Sequence, residues 1–152
     1  VLAMDMNEQR LKFSKTWAST DETILVGKET REEILKVTLN ELPTVVFDAT
    51  GSVSSMEAAF EYVAHGGKLV FVGLVKSDIR FSDPDFHKKE LTLMSSRNAT
   101  REDFDTVINS MVTGNVDTDS FITHRSGFST MIDEFEKWLD PQTGVIKAIV
   151  EL

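Results

Sequence analysis

The sequence predicts an α/β fold with a doubly wound parallel sheet, and three observations lead to that prediction. Short apolar, β-branched runs alternate with amphipathic segments of helical period along the chain. Capping residues precede the helical segments, and glycines or prolines follow most of them. The 152 residues contain 41% hydrophobic residues, enough for one domain with a sizeable core.

The first elements alternate strand, helix, strand and helix. Residues 1–4 are an apolar strand that ends before Asp5, and Asn7 is placed to cap the helix that follows. Residues 23–26 are the next strand. Thr30 and Glu33 have capping-box spacing and open a helix that is expected to run to Pro43. Its candidate core positions are Ile34, Val37 and Leu39.

Residues 43–74 form the clearest strand, helix and strand unit, which predicts a parallel crossover. Residues 44–49 and 68–72 are the two buried strands. Ser54 and Glu57 have capping-box spacing at the start of the helix, and Gly66 and Gly67 are expected to stop it. The apolar stripe of this helix consists of Met56, Ala59, Phe60 and Val63.

The remaining elements continue the alternation. Residues 75–89 are a loop with one helical turn, residues 90–96 a strand, residues 121–123 an extended piece, and residues 145–150 a closing strand. Thr100 and Asp103 cap a helix that Gly114 ends, and residues 128–139 form another helix before a turn at residues 141–144.

Composition excludes several functions. A formal net charge of −9 and a pI near 4.8 argue against nucleic acid or an anionic membrane as the main partner. The absence of cysteine excludes a disulfide scaffold and a thiolate metal site within this chain. The sequence contains no apolar run of about 18 residues, so it predicts no membrane span. No signal peptide is visible, so the cytoplasm is the expected location.

Several segments together resemble a known family. VLAMDMNEQRL, FDATGS, GGKLVFVGL, ELTLMSSRNATREDF, FITHRSGFSTMIDEFE and GVIKAIV resemble, in order and spacing, the Rossmann-like coenzyme-binding domain of zinc-dependent medium-chain alcohol and polyol dehydrogenases. The resemblance covers essentially the whole chain. The SSRNATREDF segment favours the branch that oxidises polyols and sugar acids. The resemblance therefore implies hydride transfer from an alcohol, polyol or sugar acid to NAD.

This resemblance assigns roles to Asp5 and Arg10. Asp5 ends a strand, where its carboxylate would bind the adenosine ribose hydroxyls and repel a 2′-phosphate, favouring NAD over NADP. Arg10 would cover the ribose or adenine. The alternatives are that Asp5 only caps the next helix and that Arg10 is an ordinary exposed helix residue.

The remaining implied coenzyme contacts follow the central strands and precede the last one. The resemblance implies contacts from Ala49, Thr50, Gly51, Val72, Gly73, Leu74, Ser96, Asn98 and Lys147. The Val72 carbonyl and the Ser96 and Asn98 amides would hold the nicotinamide carboxamide, and Lys147 would face the diphosphate. Glycine allows close approach to a flat ring, although these glycines alternatively serve only tight turns.

The resemblance also implies parts that this sequence does not show. The family's first strand, its G-x-G-x-x-G turn and the following helix would precede Val1, as would the amino-terminal domain that carries catalytic zinc. We therefore expect no catalysis from this chain alone and weak or undetectable NAD binding. The three histidines lack metal-ligand spacing and are expected to be structural.

The expected partners are the amino-terminal catalytic domain and a second copy of the chain. In the family the edge strand corresponding to residues 90–96 pairs with its symmetry mate, so this segment predicts a homo-oligomer. Loss of the first strand is expected to leave a gap in the sheet, which residues 1–26 would close or fill with a partner chain. A non-catalytic nucleotide-binding or oligomerisation module is the alternative, and a methyltransferase a further one.

Overall fold

A computed structural model describes all residues, 1–152, as seven strands and seven α-helices. The strands are β1 (Leu2–Asp5), β2 (Glu22–Leu25), β3 (Val45–Asp48), β4 (Lys68–Phe71), β5 (Thr92–Ser95), β6 (His124–Gly127) and β7 (Ala148–Glu151). The helices are α1 (Glu8–Trp17), α2 (Thr30–Val37), α3 (Val53–Tyr62), α4 (Asp83–Lys88), α5 (Arg101–Val112), α6 (Thr118–Phe121) and α7 (Met131–Leu139). A short 3₁₀ helix covers Pro141–Thr143.

The chain folds into two compact units. The central unit comprises residues 28–98, and the terminal unit comprises residues 1–27 and 99–152. All paired strands are parallel: β3, β4 and β5 form one sheet in the central unit, whereas β1 with β2 and β6 with β7 form two-stranded sheets in the terminal unit. The predicted α/β class with parallel crossovers is therefore confirmed. A single coenzyme domain over residues 1–152 stays a prediction.

The central unit contains the main hydrophobic core. The predicted stripe of α3 is buried, with Met56, Ala59, Phe60 and Val63 each at most 9% exposed. Leu69 from β4 and Leu91 pack with this stripe. Burial of an apolar side chain of this size contributes about 1.5–3 kcal/mol, so this face of α3 fixes the helix against the sheet.

The terminal unit has little core of its own. Leu11 of α1 and Ile24 of β2 are its two buried hydrophobic residues. In contrast, α5 and α7 bury no residue completely, although both carry apolar stripes. The two ends of α5 nevertheless match the sequence prediction. Thr100 and Asp103 form a capping box at its start, and Gly114, just after it, has the left-handed φ of +75° that ends a helix.

Two predicted capping boxes are wrong. Ser54 lies inside α3, whose N-cap is Ser52, and the Glu57 carboxylate instead accepts the Arg80 N–H at 2.9 Å. Thr30 is the first residue of α2 rather than its cap, because its hydroxyl hydrogen-bonds the Tyr62 phenol and lies buried. In both cases a residue distant in the sequence forms a hydrogen bond with the side chain that the local pattern assigned to capping.

The predicted helix ends and the last strands also need correction. Helix α2 ends at Val37, and Leu39 is 87% exposed with a φ of +57°, so it is not a core residue. Helix α3 ends at Tyr62, before Gly66 and Gly67. The extended piece predicted at residues 121–123 follows a short helix, α6.

The closing strand β7 does not join the central sheet but pairs with β6, whose polar sequence His-Arg-Ser-Gly carries no strand pattern. The strands β1 and β2 pair with each other. No helix is long and apolar enough to cross a membrane.

Candidate functional site

The three strands of the central sheet end level with one another. Asp48 pairs with Phe71 across β3 and β4, and Phe71 pairs with Ser95 across β4 and β5. The segments that follow therefore leave from one edge of the sheet, the carboxyl edge. They contain eight of the predicted site residues: Ala49, Thr50, Gly51, Val72, Gly73, Leu74, Ser96 and Asn98.

Two glycines bring the turns after β3 and β4 into direct backbone contact. A Cβ atom on Gly73 would lie 2.5 Å from the Gly51 N atom and 3.0 Å from its Cα atom, which no side chain tolerates. Gly51 has a φ of +63°, a left-handed conformation that favours glycine. The two turns therefore meet through their backbones at the centre of the carboxyl edge, with no side chain at these two positions.

Asp48 holds both turns in place, a role that the sequence analysis missed. Its buried carboxylate accepts the Thr50 N–H at 2.9 Å and the Thr50 hydroxyl at 2.7 Å through Oδ1, and the Ser55 hydroxyl at 2.7 Å through Oδ2. Its carbonyl accepts the N–H groups of Val72 and Gly73 at 2.8 and 3.0 Å. The signal was present in the order Asp-Ala-Thr-Gly, since aspartate often binds the backbone two residues ahead.

The segment after β5 places backbone amides near the strand ends. The Ser96 N–H already donates to the Phe71 carbonyl at 2.9 Å, continuing the ladder between β4 and β5. Asn98 has a φ of +57°, so the chain turns sharply there. A ligand carboxamide at this position would have to share the Ser96 N–H, whereas the Asn98 N–H has no acceptor within the chain.

Asp5 and Arg10 lie where β1 leads into α1 in the terminal unit. The Asp5 Oδ1 atom accepts the Asn7 N–H at 2.8 Å, and the Asn7 side chain caps α1 through the N–H groups of Gln9 and Arg10. Helix capping is therefore the work of Asn7 rather than of Asp5. The Oδ2 atom of Asp5 accepts no hydrogen bond, and the Arg10 side chain is exposed without an ion pair.

Lys147 lies just before β7, in the same unit as Asp5 and Arg10. Its carbonyl accepts the N–H groups of Thr123 and His124 at 3.0 and 3.1 Å, which fixes the start of the β6 and β7 pair. The preceding turn approaches α1, because a Cβ on Gly144 would lie 3.6 Å from the Gln9 Oε1 atom. The Lys147 side chain is exposed and forms no ion pair.

No group of three or more His, Asp or Glu side chains comes together in a way that would hold a metal ion. The His124 Nδ1 atom lies 3.0 Å from the Thr123 hydroxyl. The residues of this chain therefore do not fit a bound zinc ion.

The comparisons with known proteins concern the family and the fold of the chain. The family model of zinc-binding dehydrogenases matches residues 1–113, about three quarters of the chain. L-galactonate-5-dehydrogenase from Escherichia coli K12 is 44% identical over 105 residues, covering 69% of this chain and 31% of that protein.

Solved structures extend the likeness across the rest of the chain. A short chain alcohol dehydrogenase from E. coli CFT073, complexed with NADH, matches 100% of the chain and 44% of that structure, with a TM-score of 0.88 and 23% identity. A putative zinc-binding dehydrogenase from Sinorhizobium meliloti 1021, bound to NADP, matches 100% of the chain and 45% of that structure, with a TM-score of 0.87 and 16% identity. At these identities the two structures show a shared fold. The chain spans less than half of each of these proteins.

Proposed function

The chain belongs to the zinc-binding dehydrogenase family, and from this premise we propose that it is the coenzyme-binding part of a longer oxidoreductase. That enzyme would transfer hydride from an alcohol, polyol or sugar acid to NAD. The observation that carries the proposal is the backbone contact between Gly51 and Gly73 at the carboxyl edge, where open parallel sheets bind their ligands. The 44% identity to L-galactonate-5-dehydrogenase favours a sugar acid as substrate.

The carboxyl edge of the central sheet would hold the nicotinamide end of NAD. The glycine turns fit a flat ring, because no side chain projects from Gly51 or Gly73. The Val72 carbonyl and the Asn98 N–H are the groups that would orient the carboxamide, with Ser96 beside them. Ala49, Thr50 and Leu74 complete the walls. When bound, NAD supplies the ring carbon that accepts hydride.

Asp5, Arg10 and Lys147 would bind the rest of the coenzyme. The free Oδ2 atom of Asp5 is suited to accept a ribose hydroxyl and would repel a 2′-phosphate, which favours NAD over NADP. The unpaired Arg10 and Lys147 side chains are available for the adenine ribose and the diphosphate.

A partner would supply the catalytic zinc and cover the exposed apolar stripes. The chain spans 31% of L-galactonate-5-dehydrogenase, and we propose that an amino-terminal catalytic portion accounts for the remainder. Phe135 of α7 is 53% exposed and Ile132 is 79% exposed. An exposed apolar helix face of this kind is typical of a surface that packs against a partner. That portion would pack on such surfaces and provide the zinc that polarises the alcohol.

A second copy of the chain would pair with β5. This strand is at the edge of the central sheet, and all four of its residues are exposed. Leu93 and Met94 are 39% and 48% exposed, which is unusual for an edge strand that remains free. Strand addition between two copies would bury these side chains and give a dimer, which sedimentation equilibrium of the chain would detect.

A chimera tests the proposed function directly. The part of E. coli L-galactonate-5-dehydrogenase that aligns with this chain would be replaced by the aligned residues of this chain, and NADH formation from L-galactonate measured. We expect activity with NAD, a preference for NAD over NADP that Asp5→Ala reduces, and no loss of preference in the matched control Asp21→Ala.

The same chimera can contradict the proposal. A folded chimera that binds no NAD would refute coenzyme binding by this chain. A chimera that binds NAD without transferring hydride would instead favour the alternative, a non-catalytic nucleotide-binding module, for which the free edge of β5 also provides a means of association.

A further inference from the structure

A cavity of about 370 Å³ opens on the central unit, away from the carboxyl edge. None of its lining residues is among the predicted coenzyme contacts; they come from α2, α3, α4, the segment just before α4, and Lys89 and Leu91 between α4 and β5. The lining combines aromatic rings with charged side chains, which is typical of a site for a small amphipathic molecule.

Aromatic rings form one wall of the cavity. Phe60 and Phe81 are stacked with ring centroids 4.6 Å apart, and Phe86 lies 5.3 Å from Phe81. Phe60 is buried, but Phe81 is 43% exposed although it lines the cavity. The outer part of the Phe81 ring is therefore available to stack against an apolar group.

Two guanidinium groups at the rim have no carboxylate partner. Arg31 and Arg80 line the cavity, and neither takes part in an ion pair. The third cation, Lys89, is already engaged, since its Nζ atom donates to the carbonyls of Phe60, Glu61 and Val63 at 3.1–3.2 Å. The guanidinium groups of Arg31 and Arg80 are thus the charged N–H donors that remain available to a ligand.

Carboxylates in the lining limit the charge of that ligand. Glu57, Glu61 and Asp85 balance the three cations, and the Glu57 carboxylate accepts the Arg80 N–H at 2.9 Å. A phosphate dianion would meet these carboxylates, whereas a monocarboxylate carries one delocalised charge that a guanidinium binds through two hydrogen bonds.

We propose that this cavity binds a small monocarboxylate with an aromatic or branched apolar body. The carboxylate lies on Arg31 or Arg80, and the apolar body lies against Phe60 and Phe81. The site serves binding rather than chemistry, because no histidine lines it and the Ser82 hydroxyl accepts the Asp85 N–H at 3.4 Å. It is separate from the proposed coenzyme edge and does not depend on that proposal.

Amide NMR of the ¹⁵N-labelled chain tests the proposal, with 3-phenylpropionate as the probe. We expect saturable shifts of the Arg31, Arg80 and Phe81 amides with a dissociation constant on the order of 1 mM. At least one of the variants Arg31→Gln and Arg80→Gln should weaken binding about tenfold, because the arginine that binds the carboxylate loses its charge-assisted pair. The matched control is Lys36→Gln, which removes an exposed cation of α2 outside the cavity and should leave binding unchanged.

Three comparison probes decide the chemistry. The alcohol 3-phenylpropanol lacks the carboxylate, propionate lacks the ring, and phenyl phosphate carries a second charge; each should bind at least several-fold more weakly. Equal binding of 3-phenylpropanol, tighter binding of phenyl phosphate, or unchanged affinity in both arginine variants would overturn the proposal, as would the absence of shifts at these amides. Circular dichroism would confirm that the variants are folded.

Discussion

The two units differ in how much of their apolar surface they bury. Seven of the nine buried hydrophobic residues lie in residues 28–98, and only Leu11 and Ile24 lie in the terminal unit. Both units contain equally clear amphipathic helices, but α3 is buried along its stripe while α5 and α7 are not. An apolar stripe in the sequence therefore predicts that a helix forms, but it does not predict that another element of the same chain covers the stripe.

The contrast predicts two levels of stability within one chain. The central unit has a core around α3 and a three-stranded sheet, whereas the terminal unit has two-stranded sheets, which are marginal without further packing. Trp17 and Trp138 are the only tryptophans and both lie in the terminal unit, so their fluorescence reports that unit alone.

The largest effect should come from truncating the central core. Leu69 is fully buried in β4, and Leu69→Ala should lower the free energy of unfolding by about 2–5 kcal/mol through lost burial and a cavity. The matched control Ile132→Ala, on exposed α7, should change it by about 0.5 kcal/mol or less. Urea unfolding followed by amide NMR measures both, and a similar loss in the two variants would contradict the comparison.

A smaller loss should follow from adding one methyl group at the carboxyl edge. Gly73→Ala would force a Cβ to within 2.5 Å of the Gly51 N atom, and overpacking of this kind costs about 1–3 kcal/mol. Gly27→Ala is the control, because a Cβ there meets nothing within 4 Å. The melting temperatures of the two variants and of the wild-type chain provide the comparison. A Gly73→Ala variant with the same melting temperature as the wild-type chain would contradict the close contact between the two turns.

The smallest effect concerns the cation at the end of α3. Lys89→Met leaves three carbonyls without their donor, which should cost more than the removal of a desolvated charge gains, so the net loss near neutral pH should be about 1 kcal/mol. The exposed neighbour Lys88→Met should cost less. Urea midpoints of the two variants provide the measurement, and equal midpoints would show that the three carbonyl contacts contribute nothing.

The same lysine predicts a pH dependence. Burial lowers the pKa of Lys89 in the folded chain, so the folded chain releases this proton at a lower pH than the unfolded chain. As pH rises from that lowered pKa to the ordinary lysine pKa, the unfolded state binds more protons and this group's contribution to stability rises. The alkaline rise should be present in Lys88→Met and missing in Lys89→Met; parallel pH profiles would contradict it.

The sequence predicted the fold best where the signals were local and repeated. The positions of β3 and β4, the stripe of α3, the Asn7 cap and the capping box of Thr100 and Asp103 are confirmed. The expected burial of β3 is wrong, since Val45 and Phe47 are 44% and 68% exposed. These features depend on residue spacing within one element, which the sequence displays directly.

The wrong predictions concern residues whose contacts are with residues distant in the sequence. Thr30 and Glu57 had the spacing of capping residues, but Tyr62 and Arg80 bind them instead. The pairing of β7 with β6 also required knowledge of an unpredicted polar strand. At the candidate site, the glycine turns were foreseen from their type, while the role of Asp48 and the occupied Ser96 N–H depend on three-dimensional neighbours.

Titration of the ¹⁵N-labelled chain with NAD, followed by amide NMR, tests the coenzyme edge most directly. We predict weak binding, in the millimolar range, with shifts concentrated at Thr50, Gly51, Gly73 and Asn98. Saturable shifts confined to residues outside the segments after β3, β4 and β5 would contradict the assignment of this edge to the coenzyme.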